Sequence, residues 1–336
     1  MSPTLSHASL TRRDFGRLAG AGALVLAAGP AQAAGAIRIA VLKTGTVSWE
    51  LDVIRAHGLD ARNGVTLAIL EVANNEATRI ALQAGDVDMI TSDWLLVARE
   101  RADGSDLTFV PFSSSVGSLM AKAGGGITTL ADLKGKTIGV AGGPLDKNWL
   151  LLQGLAKRDY NLDLENDASP VFGAPPLLSA KLESGELDAA LIYWNFCARL
   201  ETKGFAPVIT GLGAAKAMGA SGPISAVGYT FSESWAEKNL SAVNGFITAS
   251  REAKEILRTS DAEWQRIRPL MNAENDAVFA ALRNGFREGI PTRPIADERA
   301  DATTLFAVLA KLGGPDLVGK ATTLPPGTYW TQLING

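Results

Sequence analysis

The sequence predicts a two-lobed α/β protein with mostly parallel sheets and two hinge crossings, and three observations lead there. Two stretches 100 positions apart share one pattern: a strand-like run, a turn and a tryptophan, then Leu-x-x-Gly-acid-x-Asp, another strand and another tryptophan. The tryptophans are Trp49 and Trp94 in the first copy and Trp149 and Trp194 in the second, with the motif running from Leu82 to Asp88 and from Leu182 to Asp188. Strand and helix signals alternate through both copies, which is the grammar of a parallel sheet covered by helices. Two further strand-like runs, at 117–122 and 226–231, are placed to carry the chain from one unit to the other and back.

Taken in order, residues 37–42 alternate and are β-rich, and 49–57 read as a helix ended by Gly58. Residues 65–72 form the second strand, 74–84 a helix closed by Gly85, and 87–91 the third strand, followed by Ser92, Asp93 and Trp94. Another helix and a strand at 108–112 complete the first lobe. Ser113, Ser114 and Ser115 then lead into the crossing strand. Beyond the glycine turn at 124–126, the second lobe opens at 130–133 and continues with a strand at 137–140, a helix at 147–159 and a strand near Val171. A helix starting at 175–182 and ended by Gly185, a strand at 188–192 reaching Tyr193 and Trp194, and a strand at 205–210 follow. The glycine-rich stretch 211–223 reads as a loop returning to the first lobe. From residue 234 onward, helical periodicity and capping residues mark helices at 234–239, 241–259, 261–271, 275–284 and 300–312, packed on lobe one and across the hinge. Residues 34–118 and 226–336 are thereby assigned to lobe one and 119–225 to lobe two.

With 336 residues, 46% hydrophobic and 20% charged, the chain is large enough for two domains and is neither fibrous nor disordered in composition. Its amino terminus is distinct. Thr11, Arg12, Arg13, Asp14 and Phe15 precede an apolar run at 18–28 and a small-residue site at Ala31, Gln32 and Ala33, the pattern of a twin-arginine export signal over 1–33. That run is shorter than the roughly 20 residues needed to span a bilayer. Removing 1–33 takes away three arginines and one aspartate and leaves a net charge of −5, which argues against nucleic acid or an anionic membrane as partner. The lone cysteine, Cys197, allows no intrachain disulfide, and its apolar neighbours Phe196 and Ala198 favour a packed thiol over a nucleophile. The two histidines, His7 and His57, fall in the signal and at a helix end, so neither a metal site nor a cofactor is expected.

Lys43, Gly45 and Thr46 after the first strand, the run LADLKGKTIGV at 130–140, the loop 142–149 and the stretch 192–196 resemble the type 2 periplasmic solute-binding proteins of the nitrate, sulfonate and taurine class, relatives of the thiamine-pyrimidine binders. The likeness covers about residues 37–210. It implies the two-lobed periplasmic binding fold, capture of a small-molecule ligand between the lobes, and delivery to an inner-membrane ABC permease by a monomeric periplasmic protein. The chain departs from the sulfonate binders after the third strand, where they tend to carry small residues and it has Asp93 and Trp94.

Open α/β sheets bind ligands outside the carboxyl ends of their strands, and the candidate residues are those found there. Lys43, Thr44, Gly45 and Thr46 precede a helix N-terminus, where backbone N–H groups suit an oxyanion or simply make a turn. Gly143 and Asp146 occupy the matching loop of lobe two, and Asp146 fits a ligand donor or a helix N-cap. Trp94 and Trp194 are expected to face the cleft, whereas Trp49 and Trp149, one turn into their helices, fit either the cleft or the packing beneath it. Trp235, Trp264 and Trp330 read as packing residues. Asp93 beside Trp94 suits a cationic or N–H-bearing group, with an N-cap as the alternative. Ser92, Ser114, Ser115, Tyr193, Asn195 and Tyr229 complete the candidate set.

The leading expectation is a non-enzymatic receptor for a small organic solute, flat, aromatic or sulfonate-like, feeding an ABC importer. A thiamine-pyrimidine-synthase-like enzyme is the first alternative, disfavoured by the single cysteine and the absence of a cleft histidine. The second is a periplasmic partner protein that presents a solute to a sensor or enzyme.

Overall fold

The computed structural model describes residues 35–43 and 45–332; the export-signal pattern and Thr44 lie outside the described residues. Lobe one begins with β1 (Gly35–Leu42), α1 (Val47–Ala56), α2 (Leu59–Arg62), β2 (Val65–Val72), α3 (Asn75–Ala84), β3 (Met89–Ser92), α4 (Trp94–Ala102) and β4 (Leu107–Ser113). The chain then crosses into lobe two through β5 (Ser118–Lys122), a 3-10 turn (Leu130–Leu133), β6 (Thr137–Ala141), α5 (Lys147–Tyr160), β7 (Ser169–Gly173) and α6 (Pro175–Ser184). Lobe two ends with β8 (Ala189–Ile192), α7 (Trp194–Glu201), β9 (Phe205–Thr210) and α8 (Gly211–Ala217). The return brings β10 (Val227–Ser232), α9 (Glu233–Lys238), α10 (Leu240–Thr259), α11 (Asp261–Met271), α12 (Asp276–Glu288) and α13 (Ile295–Val318).

Each lobe holds one five-stranded sheet, ordered β2-β1-β3-β10-β4 and β7-β6-β8-β5-β9. Only the crossing strands run against the rest, β10 against β3 and β4, and β5 against β8 and β9. Topology dictates this. A strand entered from the hinge runs away from it, whereas its neighbours point their carboxyl ends toward it.

The repeated Leu-x-x-Gly-acid-x-Asp motif has a backbone explanation that is the same in both lobes. Gly85 and Gly185 terminate α3 and α6 in the left-handed region, at φ 76° and 81°, where a side chain would be strained. The aspartate three residues on then pairs with the first strand of its sheet. Asp88 accepts from Arg38 N at 3.0 Å and donates its own N–H to Arg38 O at 2.8 Å. Asp188 does the same with Thr137, at 2.8 and 2.9 Å. The motif thus fixes the helix-to-strand return.

One face of the first sheet packs with α1, α10, α11 and α12 around Trp49, Phe246, Trp264 and Phe286. A second core joins α4 of lobe one, including Trp94 and Val97, to α5 of lobe two, including Trp149 and Leu152, through Leu305, Phe306 and Leu309 of α13. That helix therefore links the two lobes. It is kinked at Gly314, whose φ of 55° breaks the helical run ahead of Pro315.

The structure corrects the sequence reading in several places. The start of the stretch read as a loop, 211–223, is helical over α8, because the Thr210 hydroxyl caps it by accepting from Gly213 N at 2.9 Å and Ala214 is wholly buried. The last helix extends well beyond 300–312 at both ends, and α7 follows directly on Tyr193.

Candidate ligand-binding site

Between the lobes, at the hinge, lies a cavity of about 450 Å³ including its open mouth. Trp94 enters it from lobe one, Lys147, Asn148 and Leu151 from the first turns of α5, and Pro223, Ile224 and Ala226 from the second crossing. Ser114 of the first crossing, the start of α8, and Leu305 and Leu309 of α13 close the remaining sides. The walls are mostly apolar and the polar groups few, the usual composition of a small-molecule site.

Helix position separates the four repeated tryptophans. Trp94 and Trp194 stand at the first position of α4 and α7, whereas Trp49 and Trp149 stand at the third position of α1 and α5. Their surroundings follow a different grouping: Trp94 and Trp149 fall in the core that spans both lobes, and Trp194 packs with Trp49 in the core of lobe one. Trp94 lines the cavity although only 2% of it is exposed. Trp194 leaves lobe two to pack, half-buried, on lobe one. Trp49 is enclosed in the core of lobe one and its indole N–H donates to Leu270 O at 3.3 Å. Trp149 is wholly buried in the core shared with α13.

The two strand-end aspartates are helix caps. Asp93 accepts from Leu95 N and Leu96 N at 2.9 and 3.0 Å, and Asp146 from Asn148 N and Trp149 N at 2.9 and 3.1 Å. Burial pushes the Asp146 carboxyl up against the pull of Lys147 and the two backbone donors, and Asp93 adds to the upward push. Tyr193, 43% exposed beside them, has its phenol raised by partial burial and then by both carboxylates. One acidic cap from each lobe and one open aromatic ring therefore lie near each other at the strand ends.

The remaining candidates have mainly local partners. Gly45 N donates to Leu42 O at 3.0 Å and the Ser48 hydroxyl to Gly45 O at 2.5 Å, while Thr46 heads α1 with no side-chain cap bond and Lys43 is exposed. Gly143 O accepts from Asp146 N at 3.1 Å. The Ser92 and Thr230 hydroxyls are 2.7 Å apart and tie β3 to β10. The Ser114 N–H donates to Gly289 O at 2.8 Å, and the Ser115 hydroxyl to Gly285 O at 2.6 Å, so both serines bind the carboxyl end of α12. Asn195 is half-buried at the start of α7. Tyr229 lies away from this cavity, fully buried, its hydroxyl donating to Glu50 at 2.7 Å.

Lys147 and Asn148 belong to the lobe-two loop that the sequence marks as a source of donors, whereas it does not select Leu151 or the α13 pair Leu305 and Leu309. Leu151 adjoins that loop, but the α13 leucines have the spacing of any core helix and carry no separate signal. The residue types of the enzyme alternative sit elsewhere. His57 pairs with Glu263 at 3.1 Å, and Cys197 is buried, its thiol donating to Ile192 O at 3.3 Å and pushed up to about 12 by burial.

Solved structures share this architecture. The chain is similar to the periplasmic aliphatic sulphonate binding protein SsuA from Escherichia coli, at 18% identity and a TM-score of 0.69 over 90% of this chain and 94% of the other. It is similar to the alkanesulfonate-binding protein SsuA from Xanthomonas axonopodis pv. citri bound to MOPS, at 20% identity and 0.64 over 88% and 98%. The periplasmic nitrate-binding protein NrtA from Synechocystis PCC 6803 matches at 11% identity and 0.58 over 88% and 92%. At these identities the likeness shows the fold. No curated protein matches the sequence. The family model described as NMT1/THI5 like matches residues 54–262, more than half of the chain, and the protein belongs to that family.

Proposed function

We propose that this protein is the periplasmic solute-binding component of an ABC importer, exported through the twin-arginine pathway, and that it holds a small organic solute between its lobes for an inner-membrane permease. The observation that carries this reading is the mostly apolar cavity at the hinge, walled by both lobes and both crossings and bordered by strand-end loops. Family membership and the sulfonate- and nitrate-binding structural neighbours support it. Within the candidate set, Trp94 and Ser114 contribute to the cavity itself, and Asp93, Asp146 and Tyr193 stand beside it. The protein acts as a receptor and not as an enzyme, in keeping with the binding proteins it resembles.

The test is a titration followed by tryptophan fluorescence and thermal melting, with aromatic and aliphatic sulfonates, thiamine precursors, amines and nitrate. A saturable fluorescence change with a rise in melting temperature for one class is expected. Flat responses to every class would overturn the reading. For export, replacing Arg12 and Arg13 by lysine is expected to retain the protein in the cytoplasm, and unimpaired export would reject the twin-arginine route.

A further inference from the structure

A second cavity, of about 550 Å³ including its open mouth, lies on lobe one and shares no lining residue with the hinge cavity. It is bounded by β4 and β10, by α10, and by the connection from α12 to α13. Three charged side chains line it, Arg251 and Lys254 of α10 and Arg293 of the connection, and all three are cations. The carboxylates that pair with two of them stand outside the lining. Glu50 lies 2.5 Å from Lys254 Nζ, and Asp301 lies 2.7 Å from Arg293 Nη1.

These contacts hold both cations in place without saturating them. Lys254 is buried and also donates to the Ser250 hydroxyl at 2.7 Å, while Arg293 donates to Pro223 O at 2.7 Å and to the Ser221 hydroxyl at 3.0 Å. An ammonium has three N–H donors and a guanidinium five. Among the described residues, Glu50 and Ser250 take up two of the former, and Asp301, Pro223 and Ser221 three of the latter. Both groups therefore keep donors for an acceptor from outside the chain. Burial lowers the Lys254 pKa, Glu50 pulls it back up, and the Arg251 charge adds to the lowering. The two α10 cations thus repel one another across this wall, and an anion between them would relieve the repulsion while accepting charge-assisted hydrogen bonds.

We propose that this cavity is a second binding site, separate from the solute site at the hinge, and that it takes one small oxyanion, either inorganic or the carboxylate of a small acid, between α10 and the α12–α13 connection. Arg293 spans the two sites, because Pro223, whose carbonyl it holds, lines the hinge cavity. An anion drawn to Arg293 therefore bears on the side chain that fixes the second crossing.

Calorimetric titrations of the purified protein test this, at constant ionic strength in chloride, with sulfate and inorganic phosphate as one pair of probes and acetate and succinate as the other. Saturable binding of one ion per chain is expected, and the pair that gives it separates the inorganic from the carboxylate source. Arg251→Gln, at an exposed position, is expected to weaken that binding about tenfold. The double variant Lys254→Met with Glu50→Gln, which removes the buried pair without leaving a lone charge, is expected to weaken it at least as much, with melting curves showing that both variants are folded. Lys147→Gln, in the hinge cavity, is expected to leave it unchanged. Absence of saturable heat with every probe, binding indifferent to both the Arg251 and the double variant, or binding lost only in Lys147→Gln overturns this inference. Each of those outcomes leaves the receptor reading standing, since that reading fails only on flat responses across the solute panel.

Discussion

Trp194 of the second lobe meets Trp49 of the first edge to face, with ring centroids 6.3 Å apart and planes at 87°. Trp49 in turn contacts Trp264 and Phe286, each at 6.0 Å, so a side chain of lobe two completes an aromatic cluster of lobe one. The fit extends to Gly285 of α12, where a Cβ would lie 2.8 Å from the Trp194 ring. Arg199, further along α7, reinforces the contact by donating to Met271 O at 3.0 Å and Asn272 O at 3.1 Å and by pairing with Glu274 at 2.5 Å.

Trp194 is therefore an anchor between the lobes, and Trp194→Ala is expected to cost about 2 to 4 kcal/mol in chemical denaturation. This sits toward the lower side of losses for a fully buried aromatic because the ring is only half-buried. Gly285→Ala wedges a methyl against the same ring and is expected to cost about 1 to 3 kcal/mol. In the double variant the two losses are expected to be less than additive, since the alanine at 194 removes the ring that the new methyl meets. Full additivity would show that the two positions do not share the contact.

The buried ion pair behind the first sheet gives a second prediction. Glu50 is fully buried and accepts from the Tyr229 hydroxyl at 2.7 Å and the Ser250 hydroxyl at 2.6 Å, with Lys254 Nζ 2.5 Å from its other oxygen. Lys254 also donates to Ser250 at 2.7 Å and lies over the Phe112 ring at 4.4 Å. Lys254→Met leaves Glu50 uncompensated and is expected to lower stability by about 3 to 5 kcal/mol. Adding Glu50→Gln is expected to recover part of that loss, measured by urea unfolding of both single variants and the double. No recovery would mean that the packing of the lysine stem, and not the charge, sustains the region.

Much of the fold was legible because its determinants are backbone roles at fixed spacing. Gly85 and Gly185 can be read from sequence as helix stops, and Asp88 and Asp188 recur because each must reach the first strand of its own sheet. The site was less legible. Whether an indole near a strand end faces a ligand depends on tertiary packing: helix position places Trp94 and Trp194 alike at the cleft, yet Trp94 lines the cavity whereas Trp194 packs on lobe one. By sequence alone the Asp93 and Asp146 carboxylates fit either ligand groups or caps, and their hydrogen bonds show the capping role. The glycines of 211–217 suggested a loop, but the Thr210 cap and the buried Ala214 outweigh their weak helix preference. Leu305 and Leu309 became recognisable only when tertiary packing brought α13 over the hinge.

Cys197 tests the placement of α7 by reactivity. Burial pushes its thiol up to about 12, and only the thiolate attacks disulfide reagents. The native protein at pH 8 is therefore expected to react with an aromatic disulfide at least a hundredfold more slowly than the denatured chain, with one equivalent released on unfolding. Rapid native reaction would place the thiol at the surface and contradict its burial among Leu178, Ile192 and Leu200.

Asp301 should govern the acid response of the second crossing. Burial alone would raise its carboxyl, but the Ser221 backbone N–H, the Arg293 guanidinium at 2.7 Å, the Ser221 hydroxyl and the Gly222 N–H together hold it below the usual carboxylate range. A carboxyl lowered by folding contributes its stabilisation fully above its unfolded value near 4 and loses it as pH falls through the lower folded value. Asp301→Asn is thus expected to cost about 1 to 3 kcal/mol at pH 7, and the gap to the unmodified protein should narrow between about pH 4 and pH 2. Urea midpoints for both proteins at pH 7, 4 and 2.5 measure this. A gap that stays constant to pH 2.5 would mean that the asparagine disturbs packing alone and that the carboxylate charge does not hold Ser221 and Gly222 to α13.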